Sequence, residues 1–212
     1  MKNQSSSTAL VWTSLIAVLA GISAAFFYET FTKPSSGTSA PHLPYLGDTG
    51  SFKLRSSDGK EIDQNDFKEK VWVADFIFTR CQGQCPFMVQ KMKELETRFT
   101  AYPDLRLVSV SVDPETDTPE ILKAYKQKHG IDSDQWLFLT SDKKIIYDLV
   151  KSRFKLGVDE GDDQKEPIIH SNRFVLIDRQ GIIRGYYSVA SQEDFEALQR
   201  DLMTLLKDQP ER

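Results

Sequence analysis

A chain of 212 residues, 40% hydrophobic and 27% charged, is long enough for one globular domain with a sizeable core plus further segments. The formal net charge of -4 comes without the clustered Lys and Arg that a nucleic-acid surface needs, which sets that class aside. The two cysteines, Cys81 and Cys85, lie too close together to be a useful structural staple, because a bridge stabilises mainly by closing a long loop in the unfolded chain.

Residues 1–7 carry Lys2 and precede an uncharged run, Thr8 to Tyr28, of the length that crosses a bilayer core as a helix. Lys2 and the amino terminus favour a cytoplasmic N-terminus, with Trp12 and Tyr28 near the two interfaces. A cleaved signal peptide is the rival, but Phe26, Phe27 and Tyr28 extend the apolar run past the small residues Ser23-Ala24-Ala25. The expectation is an uncleaved anchor at 8–28, with everything after it exported. Residues 29–50, rich in Pro, Ser, Gly and Thr from Lys33 on, read as a linker. A folded domain is then expected over 51–208.

Within it, Phe52–Leu54 and Lys60–Ile62 flank Ser-Ser-Asp-Gly, a hairpin turn. Val71–Phe78 is an apolar, β-branched and aromatic run that suits a strand buried on both faces, and Asp75 inside it needs a partner if buried. Met88, Met92, Leu95 and Phe99 recur at helical spacing after Pro86, a residue tolerated in a first turn, and read as core packing. Leu105–Val112 is the next buried strand. A helix over Thr118–His129 stops at Gly130, a short strand covers Trp136–Leu139, and Ser141 is placed to cap a helix running to about Phe154. Residues 159–166 read as a solvated acidic loop. Asn172–Ile177 and Ile182–Tyr187 form a second hairpin. Ser191 to Asp194 resembles a capping box for a last helix with Phe195, Leu198, Leu202 and Leu205 inward. Strands alternating with helices and ending in a hairpin give an α/β fold, a mixed sheet flanked by helices.

Cys81 and Cys85 fall just past a strand's carboxyl end and just before a helix, where ligands gather in open α/β sheets. A helix N-terminus stabilises anions, so the position favours thiolates, the form that binds metal and attacks disulfides. Two soft thiolates suit Cu(I) or zinc, and an added imidazole accommodates Cu(II). At this level metal binding and disulfide exchange stand equal. His170, before the Asn172–Ile177 strand, is either a third ligand or an ordinary strand-edge residue. His129 at a helix C-terminus needs no further role. Asp113 and Asp117, in the Asp-Pro-Glu-Thr-Asp segment after the second long strand, are either turn and cap residues or carboxylates near the thiols.

The run Phe76 to Pro86 with its Cys81-Gln-Gly-Gln-Cys85-Pro86, the run Ser109 to Pro119 with Asp113-Pro-Glu-Thr-Asp117-Thr-Pro, and Ile169-His170-Ser together resemble the Sco/SenC family, over about Phe52 to Leu206 and including a single N-terminal anchor. The resemblance implies a thioredoxin-like fold. It implies copper, Cu(I) or Cu(II), held by Cys81, Cys85 and His170. It implies a role in assembling the dinuclear copper centre of cytochrome c oxidase, on the extracytoplasmic side of the inner membrane. It maps the family's acidic position near the site to Asp117, less directly to Asp113. The chain departs from the family pattern at Arg80, where many members have His, and at Gln82-Gly83-Gln84, where many have an aspartate. The partner is then the copper-accepting oxidase subunit or another copper or thiol-redox protein. Two rivals use the same sulfurs: a thiol–disulfide reductase that keeps the acceptor's cysteines reduced, with Cys81 and Cys85 as its redox pair, and a peroxiredoxin-like peroxidase, which wants a Thr and an Arg at its sulfur, such as Thr79 and Arg80.

Overall fold

In chain order the elements are Lys53–Ser56 (β1), Glu61–Asp63 (β2), a 3-10 turn Gln64–Phe67, Val71–Ile77 (β3), Cys85–Arg98 (α1), Leu105–Ser111 (β4), Pro119–Lys128 (α2), Trp136–Thr140 (β5), Lys143–Asp148 (α3) running into one π-helical turn Leu149–Arg153, Val158–Glu160 (β6), Ile168–His170 (β7), Arg173–Ile177 (β8), Ile183–Ser188 (β9) and Gln192–Lys207 (α4). The computed structural model describes Ser23, residues 43–160 and residues 168–208, without the side chains of 158–160 and 168–170. The N-terminal residues 1–7, the expected anchor at 8–28 and the linker up to residue 42 lie outside the described residues, Ser23 apart. Among the described residues no helix is long and apolar enough to cross a membrane.

Seven strands form one mixed sheet in the order β2-β1-β5-β4-β3-β8-β9. β3, β4 and β5 run parallel, and β1, β8 and β9 join antiparallel. The two parallel steps, β3 to β4 and β4 to β5, move the same way across the sheet. Right-handed crossovers therefore put α1 and α2 on one face. The Lys93 ammonium on α1 accordingly reaches the His129 carbonyl at the end of α2. β3 is buried along its whole length, as its apolar run predicts. Trp72 and Phe76 meet Phe154, at 6.1 and 5.0 Å between ring centroids. Alternation then turns Asp75 to the opposite face, the one under α1 and α2.

The stripe Met88, Met92, Leu95 and Phe99 is fully buried. Burying it contributes roughly 6–12 kcal/mol before entropy is counted. Thr118 caps α2 through the Ile121 N–H, Pro119 opens that helix, and Gly130 takes φ 60° where it stops.

Local details differ from the sequence reading. Ser141 does not cap α3; its hydroxyl goes to the Lys53 carbonyl and Asp142 occupies the cap position. Ser191 caps α4, but Asp194 takes the Ser188 N–H, so only half of the capping box forms. A complete box stands instead between Asp63 and Asp66. On α4, Leu206 is buried with Phe195, Leu198 and Leu202, while Leu205 is only partly buried. Residues 159 and 160 of the expected acidic loop belong to β6, which pairs antiparallel with β7 without a period-2 pattern to announce it; residues 161–166 lie outside the described residues. Residues 43–50, expected as linker, belong to the fold: Leu46 N–H bonds Ile183 O at 3.0 Å, Ile183 N–H bonds Gly47 O at 2.9 Å, and Asp48 bridges to Ile182.

Candidate metal centre and thiol pair

β3 ends at Ile77, and the Cys81 N–H folds back onto the Phe78 carbonyl at 3.2 Å. Cys85 is the first residue of α1 and Pro86 the second. The exit of β4 stays beside this loop, because Val112 N–H bonds Ile77 O at 2.8 Å. The sequence thus folds as expected here: a buried strand delivers one cysteine, and a helix start delivers the other. Cys81 is 8% exposed and Cys85 is fully buried, and no disulfide joins them.

One expectation is reversed at Cys85. The helix start was expected to favour thiolates, yet the Cys85 thiol is pushed far above its ordinary range. The largest cause is its hydrogen bond with Cys81; burial follows, a bond from the Phe78 backbone opposes, and the charges of Cys81 and Asp75 add to the rise. Two sulfurs sharing one proton in a dry site outweigh a helix end, whose dipole contributes at most about 2 kcal/mol. A metal must displace that proton, and the sulfur must give it up before it can attack a disulfide.

A raised folded value means that stability is intact below the unfolded cysteine pKa of about 8.5 and is lost as pH climbs above it. The metal-free, reduced protein is therefore expected to lose up to about 1.4 kcal/mol per pH unit above roughly pH 8.5 beyond what a Cys85→Ala variant loses. Urea denaturation of both proteins across that range checks it, and parallel pH profiles would reject it.

Asp117 and Asp113 brace the loop rather than touching the sulfurs. Asp117 is fully buried and accepts from Thr79 N–H at 3.0 Å, Thr79 Oγ1 at 2.5 Å and Ser111 Oγ at 2.6 Å. Burial pushes its carboxyl up despite those three bonds. Asp113 accepts from Arg80 Nε at 2.6 Å. Thr79 and Arg80, the pair a peroxidase would aim at its sulfur, are thus both engaged by carboxylates. That arrangement disfavours the peroxidase reading.

Two further residues belong to the neighbourhood. Asp75, completely buried on the helix-side face next to Ser109, acts on Cys85 through its charge. Tyr125 on α2 has its phenol pushed up, first by burial and then by the charges of Cys85, Asp75, Cys81 and Asp117. The sequence singled out Asp75 as an anomaly in an apolar run; it offered no signal for Tyr125 beyond a place on the inner stripe of α2. Burial, then the charges of Lys128 and Lys93, push the His129 imidazole below its ordinary value.

His170 ends β7, where its backbone pairs with Val158, and β8 begins three residues later. β8 runs antiparallel to β3, so the chain enters it at the end of β3 that carries the cysteines. The His170 side chain lies outside the described residues. Among those residues no group of three His, Cys, Asp or Glu could hold a metal ion.

A SCO1/SenC family model matches residues 47–207. The chain belongs to the SCO1/SenC family. It is 36% identical over 143 residues to the SCO1 protein homolog of Bacillus subtilis, spanning 65% of this chain and 72% of that protein. The crystal structure of a SCO1/SenC family lipoprotein from Bacillus anthracis is 37% identical with a TM-score of 0.70, over 76% of this chain and 96% of that one. BsSco, a Sco-family cytochrome c oxidase assembly protein with a disulfide switch, is 28% identical with a TM-score of 0.69, over 79% and 99%. The copper-bound ScoI of Arabidopsis thaliana shares the fold, at 21% identity and a TM-score of 0.64, over 76% and 98%. The mixed sheet with flanking helices is the thioredoxin-like fold of this SCO1/SenC family.

Proposed function

We propose that this SCO1/SenC protein is a membrane-anchored copper-binding factor that delivers copper to the dinuclear copper centre of cytochrome c oxidase, with Cys81, Cys85 and His170 as ligands. The observation that carries the reading is the pair of sulfurs within hydrogen-bonding reach of each other between a strand end and a helix start. BsSco's role in oxidase assembly and the copper held by the plant ScoI support it. Soft thiolates suit Cu(I), and an imidazole extends the set to Cu(II). Two thiolates leave a Cu(I) site at net -1 and a Cu(II) site neutral. His170, reached through the β6–β7 hairpin, is the ligand that can swing away so that the acceptor's thiols take over by exchange. The lipoprotein relative from Bacillus anthracis supports attachment to a membrane, and the apolar run at 8–28 supports a single-pass placement with the domain on the extracytoplasmic side.

Copper titration of the reduced protein tests this. One copper per chain is expected, with thiolate-to-Cu(II) charge-transfer absorption that vanishes in Cys→Ser variants; absence of binding would refute it.

The hydrogen-bonded thiols also favour a second reading, a reductase that keeps the acceptor's cysteines reduced. His170→Ala separates the two. A protein that loses copper yet still reduces the acceptor and supports oxidase assembly would establish the reductase and end the carrier.

A further inference from the structure

Arg80 is the only charged residue between Phe78 and Val89, the stretch that holds both cysteines. Around the buried sulfurs, Gln82, Gly83, Gln84, Pro86 and Phe87 are exposed and uncharged. On the loop that carries Cys81, an approaching partner thiol therefore meets neutral residues with one cation among them.

That cation is held in place. Nε donates to Asp113 Oδ2 at 2.6 Å, and the carboxylate is itself buried, with 6% of its side chain exposed. Asp113 is fixed in turn: its N–H bonds Ser111 Oγ at 3.1 Å, and its carbonyl accepts from Thr116 and Asp117 N–H at 3.0 and 2.8 Å. Half of the Arg80 side chain remains exposed. A guanidinium carries donors on more than one edge, so an inner edge bound to Asp113 leaves an outer edge for a second carboxylate. Pre-orientation by Asp113 lowers the side-chain entropy lost when that second bond forms.

We propose that Arg80 is a specificity-determining residue, selecting a polypeptide partner whose reacting cysteine is flanked by an acidic side chain. This deepens the proposed function, since it rests on the thiol pair reacting with a partner's thiols. The overall charge of -4 would repel an acidic partner at long range, so the local cation supplies the discrimination at contact.

Thiol–disulfide exchange reads this out without knowing the partner. The probes are three short synthetic peptides, each with an internal disulfide, with Glu, Gln or Lys beside the attacked cysteine. The Cys81 thiolate attacks one peptide sulfur, forming a mixed disulfide and releasing the other as a thiolate. The Cys85 sulfur, giving up its proton to solvent, attacks Cys81 Sγ and releases the second peptide thiolate. Two electrons pass from the protein dithiol to the peptide disulfide.

With the full-length reduced protein in detergent, the Glu peptide is expected to react about fivefold faster than the Lys peptide at low salt. The ratio should shrink as salt is added. It should fall to about one in Arg80→Gln, invert in Arg80→Glu and largely survive in Arg80→Lys. Because each variant is compared with itself, a general loss of folding does not move the ratio. A ratio near one in the unmodified protein, or one that persists in Arg80→Gln, overturns the role of Arg80. No exchange with any peptide removes partner-thiol chemistry, and selection by Arg80 with it.

Discussion

The Asp117→Ala protein is expected to be about 3 kcal/mol less stable than the unmodified chain. The substitution strips the acceptor from three donors at once, the Thr79 N–H, the Thr79 hydroxyl and the Ser111 hydroxyl. The hydroxyls can rotate toward other acceptors, but the backbone N–H cannot, and a buried orphaned donor costs about 1–3 kcal/mol. Relief of the carboxylate's own burial offsets part of the loss. Asp117→Asn should fall in between, since one amide oxygen can still accept two of the bonds. The gap has a pH signature. Burial raises the folded carboxyl, so its contribution is fully present below the unfolded value of about 3.9 and declines as pH rises through the folded value. The difference between the unmodified chain and Asp117→Ala should therefore narrow as the pH is raised from about 4 toward neutrality. Urea denaturation at several pH values checks both statements; equal stabilities would mean that the loop is braced by something other than Asp117. The same loop carries Cys81, so a loosened Thr79 should also speed copper loss from a loaded site.

Cys81→Ser should weaken copper binding about a thousandfold. Structural metal sites built from three or four ligands carry apparent free energies of about 10–16 kcal/mol, which puts roughly 4 kcal/mol on each ligand. A hydroxyl keeps the shape of the thiol but is a poor ligand for a soft ion. Cys81 sits at the rim, 8% exposed, so the replacement can find water and the fold should persist. Cys85→Ser removes the second proposed ligand and buries a hydroxyl at a fully enclosed position, which adds about 1–3 kcal/mol of destabilisation. Competition with a Cu(I) chelator measures the affinity, and a Cys81→Ser protein that holds copper like the unmodified chain would remove Cys81 from the ligand set.

Much of this was legible in the chain itself. The all-apolar run at Val71–Ile77 announces a central strand, because only a strand covered on both faces tolerates it. The Met88–Phe99 stripe and the Thr118-Pro119 start announce helices, because periodicity and capping are local. The cysteines' place between a strand end and a helix start follows from those neighbours alone. What the chain could not supply depends on pairing across long sequence distance. Strand order and the tethering of Thr79 by Asp117 arise from contacts between segments whose own patterns do not name their partners. The protonation of the thiol pair was also decided in three dimensions. Local position argued for thiolates, but the closed site brought the sulfurs within hydrogen-bonding reach, excluded water and set Asp75 behind them, so Cys85 keeps its proton until a ligand displaces it.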